Sequence, residues 1–279
     1  MTRRSPWNLA VAVVLACGAT TLAQRPAAGG YQDLVALFTD WSAFERPPLL
    51  EGAPDYTAAT TARRHAALKT YQSRLAAIDP KAWPIEQRVD YELVRAQMNG
   101  LDFYIRVLKP WVRDPAYYQS IWTAQSDTPA HEGPTHHAVV ELWTYTFPLS
   151  PTDEGRLAAE LHSVPPLLRQ ARRNLTGNAR DLWMTGMGTM QEQVEDLKAL
   201  AARTTTAGDE LKAAIRDASA ATTSFVSWLE SQAAAKTGPS GIGKADYTWS
   251  LRNVHLVPMS WEEEVVLLKR ELARAHASL

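Results

Sequence analysis

The stretch WMTGMGTMQEQVEDLKALAARTTTAGDELKAAIRDASAATTSFVSWL, Trp183 to Leu229, carries two apolar stripes in succession. Trp183, Met187, Met190, Val194, Leu197 and Ala201 are spaced 4, 3, 4, 3, 4, and Leu211, Ile215, Ala218, Thr222, Phe225 and Leu229 repeat that spacing. Such a spacing lines one face of an α-helix, and no strand period fits it. The join, Thr204 to Gly208, is too short to carry the chain anywhere but back along the first helix. Two long antiparallel helices are therefore expected, each with one greasy face that needs cover.

Working outward, the same reading continues. Tyr31 to Glu45 reads as a short helix with Leu34, Leu37, Phe38 and Trp41 on one side, broken by Pro47 and Pro48. A second helix carries Leu68, Tyr71, Leu75 and Ile78. A third begins after Pro84, carries Val89, Leu93, Ala96, Gly100, Leu101, Tyr104 and Leu108, and stops at Pro110. Trp111 to Leu149 is less regular. Ser150-Pro151 has the form of an N-cap with Pro at the first helical position, and Pro165-Pro166 opens another helix closed by Gly177. Thr237 to Gly243 is a linker before a helix near Lys244 to His255. No alternating strand run stands out, so the fold class is all-α: an antiparallel, bundle-like array of many helices.

The last helix starts clearly and has no marked end. Ser260-Trp-Glu-Glu263 fits a capping box. Trp261, Val265, Leu268, Leu272, Ala275 and Leu279 then form a stripe that still runs at the final residue, with no Gly, Asn or Pro stop. The expectation is an incomplete part of a larger helical fold, residues 24–279 being its amino-terminal portion.

Residues 1–23 read as an export signal: Arg3 and Arg4, an apolar run Leu9 to Leu15, and Thr21-Leu-Ala23 as a cleavage site. Val14-Leu-Ala-Cys17 offers a second cut, with Cys17 as a lipidated residue. Either cut places the mature chain outside the cytoplasm, periplasmic or extracellular. The apolar run is too short to span a bilayer. Cleavage after Ala23 removes the chain's single Cys, and with it disulfides and thiol catalysis. A formal net charge of -1 with no Lys/Arg block argues against a nucleic-acid partner.

Three segments suggest chemistry. His131-Glu132-Gly-Pro-Thr-His136-His137 places His beside Glu, as zinc peptidases do, but its second His falls five or six places on rather than four, and Gly133-Pro134 interrupts any helix. A helix starting near Thr135 would align His137 with Glu141, which makes a stand-alone metal site of His131, His137 and Glu141 one option. Loop histidines without a metal are the other. Gly238-Pro-Ser-Gly-Ile-Gly243-Lys244-Ala245 is one residue from a phosphate-binding loop, but Ala245 lacks the hydroxyl that would hold magnesium. An inter-helix linker explains it. Tyr247, Trp249, Arg252, Asn253 and His255 would line a groove or simply pack a helix. No residue of this chain is assigned to catalysis, to a cofactor or to a metal.

Several segments in order resemble a bacterial family, domain of unknown function 885. They are Leu75-Ala-Ala-Ile-Asp79, Gln87-Arg-Val-Asp-Tyr91-Glu-Leu-Val-Arg95, Val164-Pro-Pro-Leu-Leu168, Ala171-Arg-Arg-Asn-Leu175, Ile242-Gly-Lys-Ala-Asp-Tyr247, Leu251-Arg-Asn-Val-His-Leu256, Trp261, and Arg270-Glu-Leu-Ala-Arg274. Arg46 to Tyr56 departs from the family's usual opening. The resemblance implies a mostly helical, exported protein similar to zinc-dependent peptidases. Its metal motif, a His-Glu-x-x-Pro-Gly-His type, would lie downstream of Leu279, and this chain has none. The implied role is one wall of a peptide-substrate cleft, with zinc held elsewhere. The alternative is a non-catalytic exported helical module that binds a peptide or an envelope partner.

Overall fold

The computed structural model describes residues 29–125 and 139–279. Helices dominate. Their order is α1 (Tyr31–Glu45), α2 (Ala58–Ala76), α3 (Ile85–Phe103), the one-turn α4 (Pro110–Arg113), α5 (Pro151–Leu161), α6 (Val164–Asn174), α7 (Arg180–Arg203), α8 (Asp209–Ala233), α9 (Lys244–Asn253) and α10 (Trp261–Ala277). The strands are two residues each. β1 (Leu49–Leu50) and β2 (Ala53–Pro54) make an antiparallel hairpin where the sequence reading has only a break. β3 (Ile121–Trp122) pairs in parallel with β4 (Val140–Glu141). Pairs this short leave no alternation to read, and the all-α class stands.

Helices α7 and α8 pair as their stripes require. Trp183, Met190, Val194, Leu197, Leu211, Ile215, Ala218, Phe225 and Leu229 are all buried in one core with α5 and α6. Polar groups inside it are matched. The Trp183 indole donates to the Leu229 carbonyl at 3.1 Å. Buried Gln193 accepts from the backbone N–H of Ser120 and Ile121 at 2.6 and 3.1 Å and donates to Thr222 Oγ1 at 3.2 Å. Gln170 does the same for the hairpin, accepting from Tyr56 N and donating to the Pro54 carbonyl. Gly186 lets α7 meet the turn at Pro115–Tyr118, since a Cβ there would lie 2.5 Å from Ala116 N.

A smaller core holds α1, α2 and α3 together through Leu34, Leu37, Trp41, Leu68, Leu75, Ile78, Val94 and Met98. Leu101 packs against both cores. On α3 the sequence reading places Val89 and Leu93 inward, but they are 49% and 50% exposed. The buried positions are Val94, Ala96, Met98 and Phe103, because α3 is covered on more than one side toward its end and hardly at all near its start.

Helix α10 has the expected capping box, with Ser260 Oγ accepting from Glu263 N and Glu263 accepting from Ser260 N. It buries no residue, and Val266, Leu268 and Leu272 are 69%, 58% and 58% exposed. Its main neighbour is α9.

Candidate functional site

The least regular helical segment is where polar groups converge. Helix α3 does not end at Phe103 but widens into a π-helical turn, Tyr104–Leu108, closed by Lys109 in the left-handed region at φ 45°. Pro110 forces the stop. A π-turn rotates the residues after it relative to a regular helix, and such turns occur often at functional sites. Here Arg106 of the turn joins a polar cluster and Tyr104 a phenolic one.

One cluster is polar. His65 Nε2 of α2 lies 2.8 Å from Asp102 Oδ1, and Arg106 Nε donates to Asp102 Oδ2 at 3.1 Å. The guanidinium of Arg106 sits 5.7 Å from the centre of the Trp249 ring, which stacks at 12° on Phe103. Burial pushes the Asp102 carboxyl up, but the bonds from His65 and Arg106 outweigh it and hold the carboxyl below its usual range. The group therefore stays ionised, fixes the His65 ring, and ties α2, α3 and α9 at one point. The His65 side chain is 32% exposed, so its ring is open to solvent on one side. A carboxylate-oriented imidazole is a competent proton carrier. No nucleophile is bonded to it among the described residues.

The other cluster is phenolic. Tyr104 and Tyr117 are hydrogen-bonded, Tyr117 bonds Tyr56, and the Tyr118 hydroxyl donates to the Trp111 carbonyl while accepting from Asn174. Burial pushes the Tyr104, Tyr117 and Tyr118 phenols far above the usual range. They remain protonated donors, and their work is to join α3 to α6.

The residues singled out in the sequence fare differently. Cys17 and the segment His131, Glu132, His136 and His137 lie outside the described residues. Glu141 is exposed on β4, where its carbonyl accepts from Thr144. Among the described residues no three His, Cys, Asp or Glu side chains gather to hold a metal. The phosphate-loop look-alike is a staple. Asn178 Oδ1 accepts from Thr237 N and Gly238 N, Ser240 Oγ accepts from Asp181 N and Leu182 N at the start of α7, and Arg113 donates to the Ser240 carbonyl. These bonds hold the segment against the Asn178 loop, the start of α7 and Arg113. The α9 cluster is packing and capping: Tyr247 donates to Glu264, Arg252 to the Met259 carbonyl, Asn253 to the Trp249 carbonyl.

The sequence reading missed the His65–Asp102–Arg106 chain. The only local signal was Asp102 and Arg106 four apart on one helix face, since His65 reaches Asp102 from another helix.

The fold defines the chain as a member of an all-α class with short, incidental strands. It belongs to the family described as bacterial protein of unknown function (DUF885), whose pattern it matches over residues 50–279. A comparison with curated proteins finds no match. The chain is similar to the structure of a candidate lipoprotein of unknown function from Shewanella oneidensis, with a TM-score of 0.61 and 18% identity over 88% of this chain. It spans 46% of the length of that protein. At that identity the likeness speaks for the fold alone. No helix among the described residues is long and apolar enough to cross a membrane.

Proposed function

We propose that this chain is the amino-terminal helical wall of a larger exported protein of zinc-peptidase type, with the metal and its ligands supplied from outside these residues. The observation that carries the reading is α10. A helix with a built start and a continuous apolar seam buries none of its residues and leaves Leu268 and Leu272 58% exposed. Apolar surface of that kind marks an interaction face. The length relation to the Shewanella protein points the same way, as does the family resemblance. In this reading a second helical portion covers α10, and a peptide substrate lies between the two. Export rests on residues 1–23 as a cleaved signal, or on Cys17 as a lipid-bearing residue.

The coding DNA beyond the Leu279 codon tests this. An open frame that continues into a His-Glu-x-x-Pro-Gly-His type motif is the expected result. A stop followed by an unrelated gene overturns it and leaves the non-catalytic exported binding module.

A further inference from the structure

We propose that the end of the α1–α2–α3 unit from which the first 28 residues depart is a lipid-contact surface, seating Pro84, Ile85 and Val89 at the headgroup level of a bilayer. Gly29 lies against the α2–α3 turn, with a built Cβ 3.9 Å from the Ala77 carbonyl oxygen and from Asp79 N. Trp83 of that turn stands edge-on to Tyr31, at the first turn of α1, with ring centres 5.8 Å apart. The entry of the chain and the turn therefore share one end.

That end is greasy and uncovered. Ile85 is 72% exposed and Val89 49%, one helical turn apart on α3, with exposed Pro84 before them and half-buried Trp83 beside them. An amphipathic aromatic next to bare aliphatic side chains is the chemistry of an interfacial anchor. The nearby exposed charges are slightly acidic: Asp33, Asp79 and Glu86 against Lys81 and Arg88. Insertion of apolar groups, not attraction to anionic lipid, must carry the contact.

The occupant follows from where the remaining chain attaches, and this rests on the reading of Cys17 as a lipid anchor. Only residues 18–28 would then separate the bilayer from Gly29. Even fully extended, eleven residues reach no more than about 40 Å. A tether so short raises the effective concentration of this end at the lipid surface, so a contact that the free chain makes only at high vesicle concentration becomes populated.

The test uses the exported full chain with its own amino terminus, placed on phosphatidylcholine vesicles whose acyl chains carry bromine, a contact quencher of tryptophan. Quenching of the wild type that is unchanged by high salt, lost in Trp83→Phe, and reduced at least threefold in Ile85→Asn/Val89→Asn is expected. Both substituted side chains are exposed, so circular dichroism should match the wild type. Mass measurement of Cys17 separates the two readings. Lipid on Cys17 without quenching overturns the surface and leaves the anchor. Where Cys17 carries no lipid the anchor fails, and titration of the free chain with the same vesicles decides the surface: quenching supports it and none overturns it. Quenching unaffected by the double substitution, or a dimer that shields positions 85 and 89, also overturns it.

Discussion

Gln193 shows how one side chain commits a loop to a helix. Its carbonyl oxygen takes two backbone N–H groups, those of Ser120 and Ile121, inside a fully buried site. Replacing it by Leu keeps the volume but leaves both donors unpaired, at about 1–3 kcal/mol each. Gln193→Leu is therefore expected to lower unfolding free energy by about 3 kcal/mol in urea titration, and a loss under 1 kcal/mol would show that water reaches the loop. A polar residue three places after Met190, on the buried side of α7, was visible in the sequence, but its partners were not, because they are backbone groups some seventy positions away. Asp102 makes a second prediction. Its folded carboxyl is held below the usual range, so it prefers the ionised form more in the folded chain than in the unfolded one. The stability it supplies is present above the unfolded value, about 3.9, and is lost as pH falls through the folded one. The gap in urea midpoint between the wild type and Asp102→Asn should be open at pH 7 and shrink below about pH 4. An equal gap at all pH values would mean that Asp102 acts through packing rather than charge.

At the scale of elements, the apolar period was a sound guide to which helices exist and a poor guide to what covers them. Helices α7 and α8 were legible because each supplies the other's cover, although Ala201 at the end of the stripe is exposed and Leu200 is buried instead. The period on α3 was equally clear, yet Val89 and Leu93 face outward, whereas the exposure of Leu268 and Leu272 on α10 is what a stripe without a partner in this chain predicts. A stripe states where apolar side chains lie on a helix, not whether a neighbour is present to meet them. The hairpin at Leu49–Pro54 and the π-turn at Tyr104–Leu108 left no pattern to read, the first because two-residue strands have no period, the second because one wider turn does not change the apolar spacing enough to show. The bare face of α10 gives a direct prediction. The purified chain should bind an apolar dye such as anilinonaphthalene sulfonate, and Leu268→Ser/Leu272→Ser should abolish most of that binding. Because both side chains are exposed, stability should change by less than about 0.5 kcal/mol. A wild-type chain that is monomeric and free of dye would show that the seam does not attract apolar groups.

The whole molecule is a graded assembly, and the grading has an observable consequence. The core around α5, α6, α7 and α8 is the larger one, and it is closed by matched polar groups at Trp183, Gln193 and Gln170. The α1–α3 core is smaller, and among the described residues Leu101 packs against both. Its attachment otherwise passes through the tyrosines beside the π-turn and through the hairpin held by Gln170. Helix α9 hangs on α3 by the Phe103–Trp249 stack and by Asn99, which donates to the Asn253 carbonyl at 3.1 Å. Helix α10 follows it with nothing buried. Local opening costs free energy in proportion to the apolar surface and hydrogen bonds lost with each unit, so units with less burial open more often. Native-state hydrogen exchange should therefore rank amide protection as α10 lowest, α1–α3 intermediate, and α7–α8 highest, with only the last group exchanging through global unfolding. Breaking the His65–Asp102 bond with His65→Ala should lower protection in α2 and α3 while leaving α7 and α8 unchanged. Equal protection of α10 and α8 would contradict this ordering, since a helix without buried residues would then be opening only together with the core.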